Sequence, residues 1–110
     1  MSGKFELKKS PSGQFIFNLK AGNAQIILTS ELYKEKSGAL NGIESVRKNS
    51  TADSNFERKT SVKNEPYFVL KSSNGQIIGK SEMYSSVAAM ENGIASVKAN
   101  ALESKLDDIS

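Results

Sequence analysis

Displaced by 51 residues, this chain aligns with itself without a gap. Phe5-Glu6 falls on Phe56-Glu57, and Lys8 on Lys59. Phe17, Leu19 and Lys20 fall on Phe68, Leu70 and Lys71, and Asn23, Gln25, Ile26 and Ile27 on Asn74, Gln76, Ile77 and Ile78. Ser30-Glu31-Leu32-Tyr33 matches Ser81-Glu82-Met83-Tyr84, and Asn41-Gly42-Ile43 matches Asn92-Gly93-Ile94. Ser45, Val46 and Asn49 return as Ser96, Val97 and Asn100. A fixed period of this length marks a duplicated supersecondary unit. The chain therefore reads as one domain, 1–110, made of two repeats, 3–50 and 54–101. Residues 102–110 are left over as a mobile tail or a frayed extension of the last helix.

The duplication has a physical reason. A unit of roughly 50 residues buries only about 60% of its unfolded surface, and doubling the length raises that fraction. The second copy is supplied covalently, so a monomer is the default and a homodimer is not required.

Each repeat reads as three strands and a helix. Phe5-Glu6-Leu7-Lys8 alternates apolar and charged side chains, the period of a half-buried strand. Its counterpart Phe56-Glu57-Arg58-Lys59 keeps the pattern except at Arg58, which marks an edge or a frayed end. A turn follows at Ser10–Gly13 and Ser61–Asn64, where the aligned Gly13 and Asn64 are residue types that accept positive φ. The second strand shows Phe15, Phe17 and Leu19 on one face and Ile16, Asn18 and Lys20 on the other, matched by Pro66, Phe68, Leu70 and by Tyr67, Val69, Lys71. Asn74-Gly75 is a two-residue hairpin signal, with Gly22-Asn23 in the equivalent role, and Ile26–Leu28 and Ile77-Ile78 form short third strands. Ser50–Ser54 is a polar linker or a short extra strand.

Ala39, Ile43 and Val46, like Met90, Ile94 and Val97, recur at helical spacing. Ser37 and Ser86 are the expected N-caps, and Asn49 and Asn100 the expected left-handed residues after the helix end. Gly42 and Gly93 sit inside the helical pattern, where glycine costs about 1 kcal/mol relative to alanine. Its recurrence implies close packing of the helix, either on the sheet or on the other helix, with a ligand approaching the helix backbone as the lesser alternative. Ser-Glu-x-Tyr, at 30–33 and 81–84, ends strand three. There the Tyr33 and Tyr84 rings are expected under the helix, with Glu31 and Glu82 accepting from backbone N–H groups.

These motifs, with Phe-x-Leu-Lys-Ala-Gly-Asn at 17–23, Ile-Leu-Thr-Ser-Glu-Leu-Tyr at 27–33 and Gly-Ile-x-Ser-Val-Arg at 42–47, resemble the YegP family of small bacterial proteins. The resemblance spans residues 3–100. It implies an α+β fold of two βββα(β) repeats sharing one antiparallel sheet, with both helices on one face and C-terminal strands either kept within their repeats or exchanged between them. It implies no activity and no cofactor.

The chain contains no cysteine and no histidine, which removes disulfides, thiolate metal sites, the usual nucleophilic thiol and the commonest general base. No phosphate-binding or dinucleotide fingerprint is present, and no catalytic, cofactor or metal residue is assigned. An enzyme of some unrecognised class is the weakest reading. With no apolar run long enough for a membrane span and no signal-peptide h-region at the start, a cytoplasmic, membrane-free protein is expected.

The net charge of +3 is uneven: eight Lys/Arg against four Asp/Glu in residues 1–50, six against five in 51–101, and one against three in 102–110. If two helices cover one face of the sheet, the other face presents Lys8, Asn18, Lys20, Lys59, Tyr67, Val69 and Lys71, together with Glu6 and Glu57. That face, or an exposed sheet edge, is the expected docking surface for a protein or peptide. Weak single-stranded nucleic-acid binding through its lysines and Tyr67 is the alternative. Against it, only one aromatic is available, and Glu6 and Glu57 oppose a phosphate.

Overall fold

The computed structural model describes residues 3–110. Met1 and Ser2, part of the start in which no signal-peptide h-region is expected, lie outside the described residues. In the first repeat, β1 (Lys4–Lys9), β2 (Phe15–Lys20) and β3 (Ile26–Thr29) lead to α1 (Lys36–Asn49). A 3-10 turn at Asp53–Asn55 opens the second, which runs β4 (Phe56–Thr60), β5 (Pro66–Lys71), β6 (Ile77–Lys80) and α2 (Val87–Asn100). A last strand, β7 (Lys105–Asp108), follows.

All seven strands form one sheet in the order β4-β5-β6-β3-β2-β1-β7. The repeats join where β3 meets β6, with Thr29 opposite Lys80, so a local two-fold axis runs through that seam. Both repeats carry the same register shift, between Leu19 and Lys20 and between Leu70 and Lys71. The aromatic packing is duplicated as well. Phe5 meets Phe17 edge-on at 5.9 Å, and Phe56 meets Phe68 at 5.7 Å. Tyr33 stacks on Phe17 at 6.2 Å, and Tyr84 on Phe68 at 6.3 Å. The core lies on the helix side of the sheet, where Ala39, Ile43 and Val46 of α1 and Met90, Ile94 and Val97 of α2 are buried as their spacing predicts.

The helical glycines are sites of close approach. A methyl group at Gly42 would meet the Tyr33 hydroxyl, and would lie 2.9 Å from Phe17 Cε2. At Gly93 it would meet the Tyr84 hydroxyl, with Tyr84 Cζ at 2.7 Å. The tyrosine ring thus lies flat between the sheet and a helix that has no side chain there.

Several expectations are corrected. Residues 105–108 are not a tail: β7 pairs with β1, in parallel, so the sheet is mixed rather than wholly antiparallel. The backbone N–H of Ile109 also donates to the Leu7 carbonyl. The second repeat's last strand therefore completes the first repeat, while among the described residues no strand follows α1 to cover β4 in return, so the exchange runs one way. A four-residue strand of Lys-Leu-Asp-Asp shows almost no apolar alternation, and its stability comes from β1 rather than from its own composition. Ser37 does not cap α1. Glu35 does, without a side-chain bond, whereas Ser86 caps α2 through Ala89 N–H. Asn49 and Asn100 are the last helical residues, each donating its amide to the carbonyl of Ser45 or Ser96, and the residues after them stay right-handed.

In the β2–β3 hairpin the positive φ falls on Ala24, at 69°, and not on Gly22. Its counterpart Gly75 has φ 85°, and Asn23 and Asn74 both accept from the N–H two residues on. Gly13 and Asn64 adopt positive φ as expected.

Charge adds to the backbone pairing that holds β7. Lys36 pairs with Asp108, and Lys4 Nζ lies 3.0 Å from Asp107 Oδ2. Lys36 first, then Ser110, lowers the Asp108 pKa to about 2. A depressed carboxylate pKa stabilises the fold above the ordinary value near 4, and that contribution is lost as pH falls through about 2. NMR across this window should show β7 resonances losing their native shifts before those of β5, and Lys36→Ala should loosen β7 already at neutral pH. β7 amides whose order is the same at pH 2 as at neutral pH would contradict a stabilising role for this ion pair.

Candidate functional site

Strand alternation sends Phe5, Leu7, Phe17, Leu19, Phe68 and Leu70 to the helices and their neighbours to the opposite, uncovered face. Lys8, Asn18, Lys20, Lys59, Tyr67, Val69 and Lys71 all lie on that face, as the sequence places them. They do not contribute equally. Lys8 is exposed and Lys20, Lys59, Tyr67 and Lys71 are half-buried, but Asn18 and Val69 are only 5% and 3% exposed. Val69 lies between the longer Glu57 and Lys80, and Asn18 between the longer Glu6 and Thr29, which bonds to it. Asn18 spends its amide oxygen on the Thr29 hydroxyl, at 2.8 Å. These two residues form the floor of the face and cannot make its contacts.

The acids on this face are engaged. Lys20 Nζ lies 3.0 Å from Glu6 Oε2, and Lys71 Nζ lies 2.5 Å from Glu57 Oε1, with Lys59 at 3.9 Å. Lys71 chiefly, and then Lys59, holds the Glu57 carboxyl below its usual range. Glu6 and Glu57, counted at the sequence level as obstacles to an anionic ligand, are therefore largely neutralised in place.

The structure adds three lysines that the sequence reading did not place on this face. Lys4 and Lys105 stand opposite each other on β1 and β7, and Lys80 follows Gly79 on β6. The period of β6 could have placed Lys80. Lys105 was illegible while its strand passed for a tail. Lys8, Lys80 and Lys105 have no acidic partner among the described residues. Lys80 Nζ sits over the Tyr67 ring, 5.2 Å from its centroid, and so occupies a ring face that a nucleobase would need.

The Ser-Glu-x-Tyr motif does part of the expected work: its tyrosines lie under the helices, but its glutamates accept from no backbone N–H among the described residues. The Ser30 hydroxyl accepts from Phe17 N–H at 2.9 Å and donates to the Glu31 carbonyl, and Ser81 does the same for Phe68 and Glu82. Serine, and not glutamate, satisfies the backbone at the end of strand three. Glu31 and Glu82 are exposed. Burial first, and the adjacent Glu31 second, raises the Tyr33 pKa, and Tyr84 is raised in the same way beside Glu82. A tyrosine pushed upward holds its proton and is a poor base at neutral pH.

No helix among the described residues is long and apolar enough to cross a membrane.

The family model described as "Domain of unknown function (DUF1508)" matches residues 10–57 and again 61–108. The two matches stand 51 residues apart, the step of the internal repeat, and the second ends on β7. The chain is 55% identical over 108 residues to UPF0339 protein PA0329 of Pseudomonas aeruginosa, covering 98% of each chain. It is 52% identical over 108 residues to UPF0339 protein YegP of Escherichia coli, again covering 98% of each. The solution NMR structure of UPF0339 protein SO3888 from Shewanella oneidensis matches with a TM-score of 0.93 at 53% identity, over 99% of this chain and 92% of that one. That of yegP from E. coli matches with a TM-score of 0.94 at 51% identity, over 99% and 94%.

Proposed function

Because the chain belongs to the DUF1508 family of UPF0339 proteins, whose name carries no activity, we propose from its own geometry that it is a non-enzymatic interaction module whose open sheet face docks on an acidic protein surface. The carrying observation is the set of unpaired lysines, Lys8, Lys80 and Lys105, on a face whose acids are already matched to other lysines. An approaching anionic surface meets cations without first displacing internal carboxylates. Half-buried Ile16 and Tyr67 supply apolar area between them. Complementary charge of this kind sets encounter rate and specificity more than final affinity.

The nucleic-acid alternative has less support, since the lone aromatic on the face already carries Lys80. The test is affinity capture from a lysate of the source bacterium with the parent protein and with the Lys8→Glu/Lys80→Glu/Lys105→Glu variant. These lysines are exposed, so the variant is expected to fold. The parent should hold a partner whose retention falls at least about tenfold in the variant and weakens with salt. An identical partner list for both proteins would overturn the reading. Saturable binding of a labelled oligothymidylate, steeply weakened by salt, would favour the alternative.

A further inference from the structure

The two repeats differ at more than half of their aligned positions, so each retained polar identity calls for a cause. Most have one on the structure. Ser30 and Ser81 close the strand end, Asn23 and Asn74 close the hairpin, and Asn49 and Asn100 close the helix. Gln25 and Gln76, and Asn41 and Asn92, do not. All four are exposed, and none of their side chains has a hydrogen-bond partner among the described residues.

The fold brings these four amides together in pairs. Asn41 of α1 and Gln76 of the β5–β6 hairpin line a groove of about 550 Å³ with Tyr33 and Ile77. Asn92 of α2 and Gln25 of the β2–β3 hairpin line a groove of about 250 Å³ with Tyr84 and Ile26. The grooves are equivalent under the 51-residue step, and each joins the helix of one repeat to the hairpin of the other. Both lie on the helix side, away from the lysine face.

The chemistry of the linings selects the ligand. Neither groove is lined by a lysine, arginine or aspartate, and only the larger borders a carboxylate, Glu31. An ion gains little there. A carboxamide both donates and accepts, the complement of a peptide group, and one stands on each wall. The tyrosine hydroxyls, also without partners among the described residues, add a further polar group, and the exposed isoleucines add apolar contact. A sugar ring lacks its usual aromatic platform, because Tyr33 stacks on Phe17 and its ring packs against Gly38 and Gly42. We propose that the two grooves are a pair of equivalent sites for an extended, uncharged stretch of polypeptide main chain. Two sites on one rigid body would engage repeated or paired segments with raised effective concentration.

The test is an NMR titration of the full chain with N-acetyl-trialanine-N-methylamide, using methyl glucoside and inorganic phosphate as controls. The peptide should produce saturable shifts in the side-chain amides of Asn41, Gln76, Asn92 and Gln25, with a dissociation constant of about 1 mM or weaker. Asn41→Ala should weaken binding about fivefold at the α1 groove and leave the α2 groove unchanged, as loss of one hydrogen bond predicts. Linear, unsaturable shifts, shifts confined to the β4 or β7 edge, or saturation by the glucoside would overturn the proposal. The Lys8→Glu/Lys80→Glu/Lys105→Glu variant should bind the peptide like the parent, so failure of the open-face reading and failure of this one are separable.

Discussion

Gly79→Leu should destabilise the protein by about 3 kcal/mol, at the upper end of what overpacking a core costs. The position is the counterpart of Leu28, and the two meet across the local two-fold axis. A methyl group at Gly79 would lie 2.7 Å from both Leu28 Cγ and Cδ2. Two equivalent leucines would claim the same volume, so the repeat can carry a leucine on one strand only. The reciprocal exchange, Leu28→Gly with Gly79→Leu, moves the side chain to the other strand and leaves the filled volume nearly unchanged. It should lie within about 1.5 kcal/mol of the parent, the range of volume-conserving swaps. Denaturant unfolding of the parent, the two single variants and the exchange gives the coupling directly. Leu28→Gly alone should also be costly, by about 2–5 kcal/mol or more, because it leaves a cavity. A Gly79→Leu protein as stable as the parent, or single effects that add without coupling, would show that the seam is not packed as described.

That seam also shows where sequence reasoning reached and where it stopped. Alternation and helical spacing located β1 to β6 and both helices because these elements bury one face each, and burial writes a period into the chain. The repeat doubled every such signal. What one copy carries and the other lacks was harder to interpret. Leu28 against Gly79 looks like divergence until β3 and β6 are known to meet at the axis. Ala24 against Gly75 looks like loss of a turn residue, yet Ala24 keeps the positive φ, so the hairpin survives with an alanine in a conformation costing on the order of 1 kcal/mol. The lysine face was legible as a face, but its floor was not. Period 2 assigns Asn18 and Val69 to a side of the sheet and says nothing about the Glu57, Lys80 and Glu6 chains beside them. The amide grooves were wholly illegible as sites. Their walls come from opposite repeats, and only the strand order places Asn41 beside Gln76.

Removal of residues 105–110 should cost about 2 kcal/mol, the order of uncovering one large apolar side chain, whereas loss of a mobile tail would cost nothing. The strand borders β1 at Phe5 and Leu7, both fully buried, and its backbone closes that edge. The second repeat shows what the same edge becomes when nothing covers it. On β4, the counterpart of Leu7 is Arg58, and the counterpart of Leu40 on α1 is Glu91 on α2. Arg58 Nε lies 2.7 Å from Glu91 Oε2 and its Nη2 3.0 Å from Asp53 Oδ1, and Asp53 is also held by Lys98 at 2.6 Å. Arg58 first, with Lys98, lowers the Asp53 pKa to about 2. An ion pair stands where the first repeat has two leucines because the open edge is wet, and a charged edge also discourages strand-to-strand aggregation. The exchange Leu7→Arg with Leu40→Glu should therefore have opposite effects in two backgrounds. In the full chain it buries a charge beneath β7 and should be destabilising by about 3 kcal/mol or more. In the shortened chain it rebuilds the solvent-adapted edge of β4 and should be close to neutral or stabilising. Thermal unfolding of the four proteins decides it. Equal effects in both backgrounds would mean that β7 does not set the character of the β1 edge.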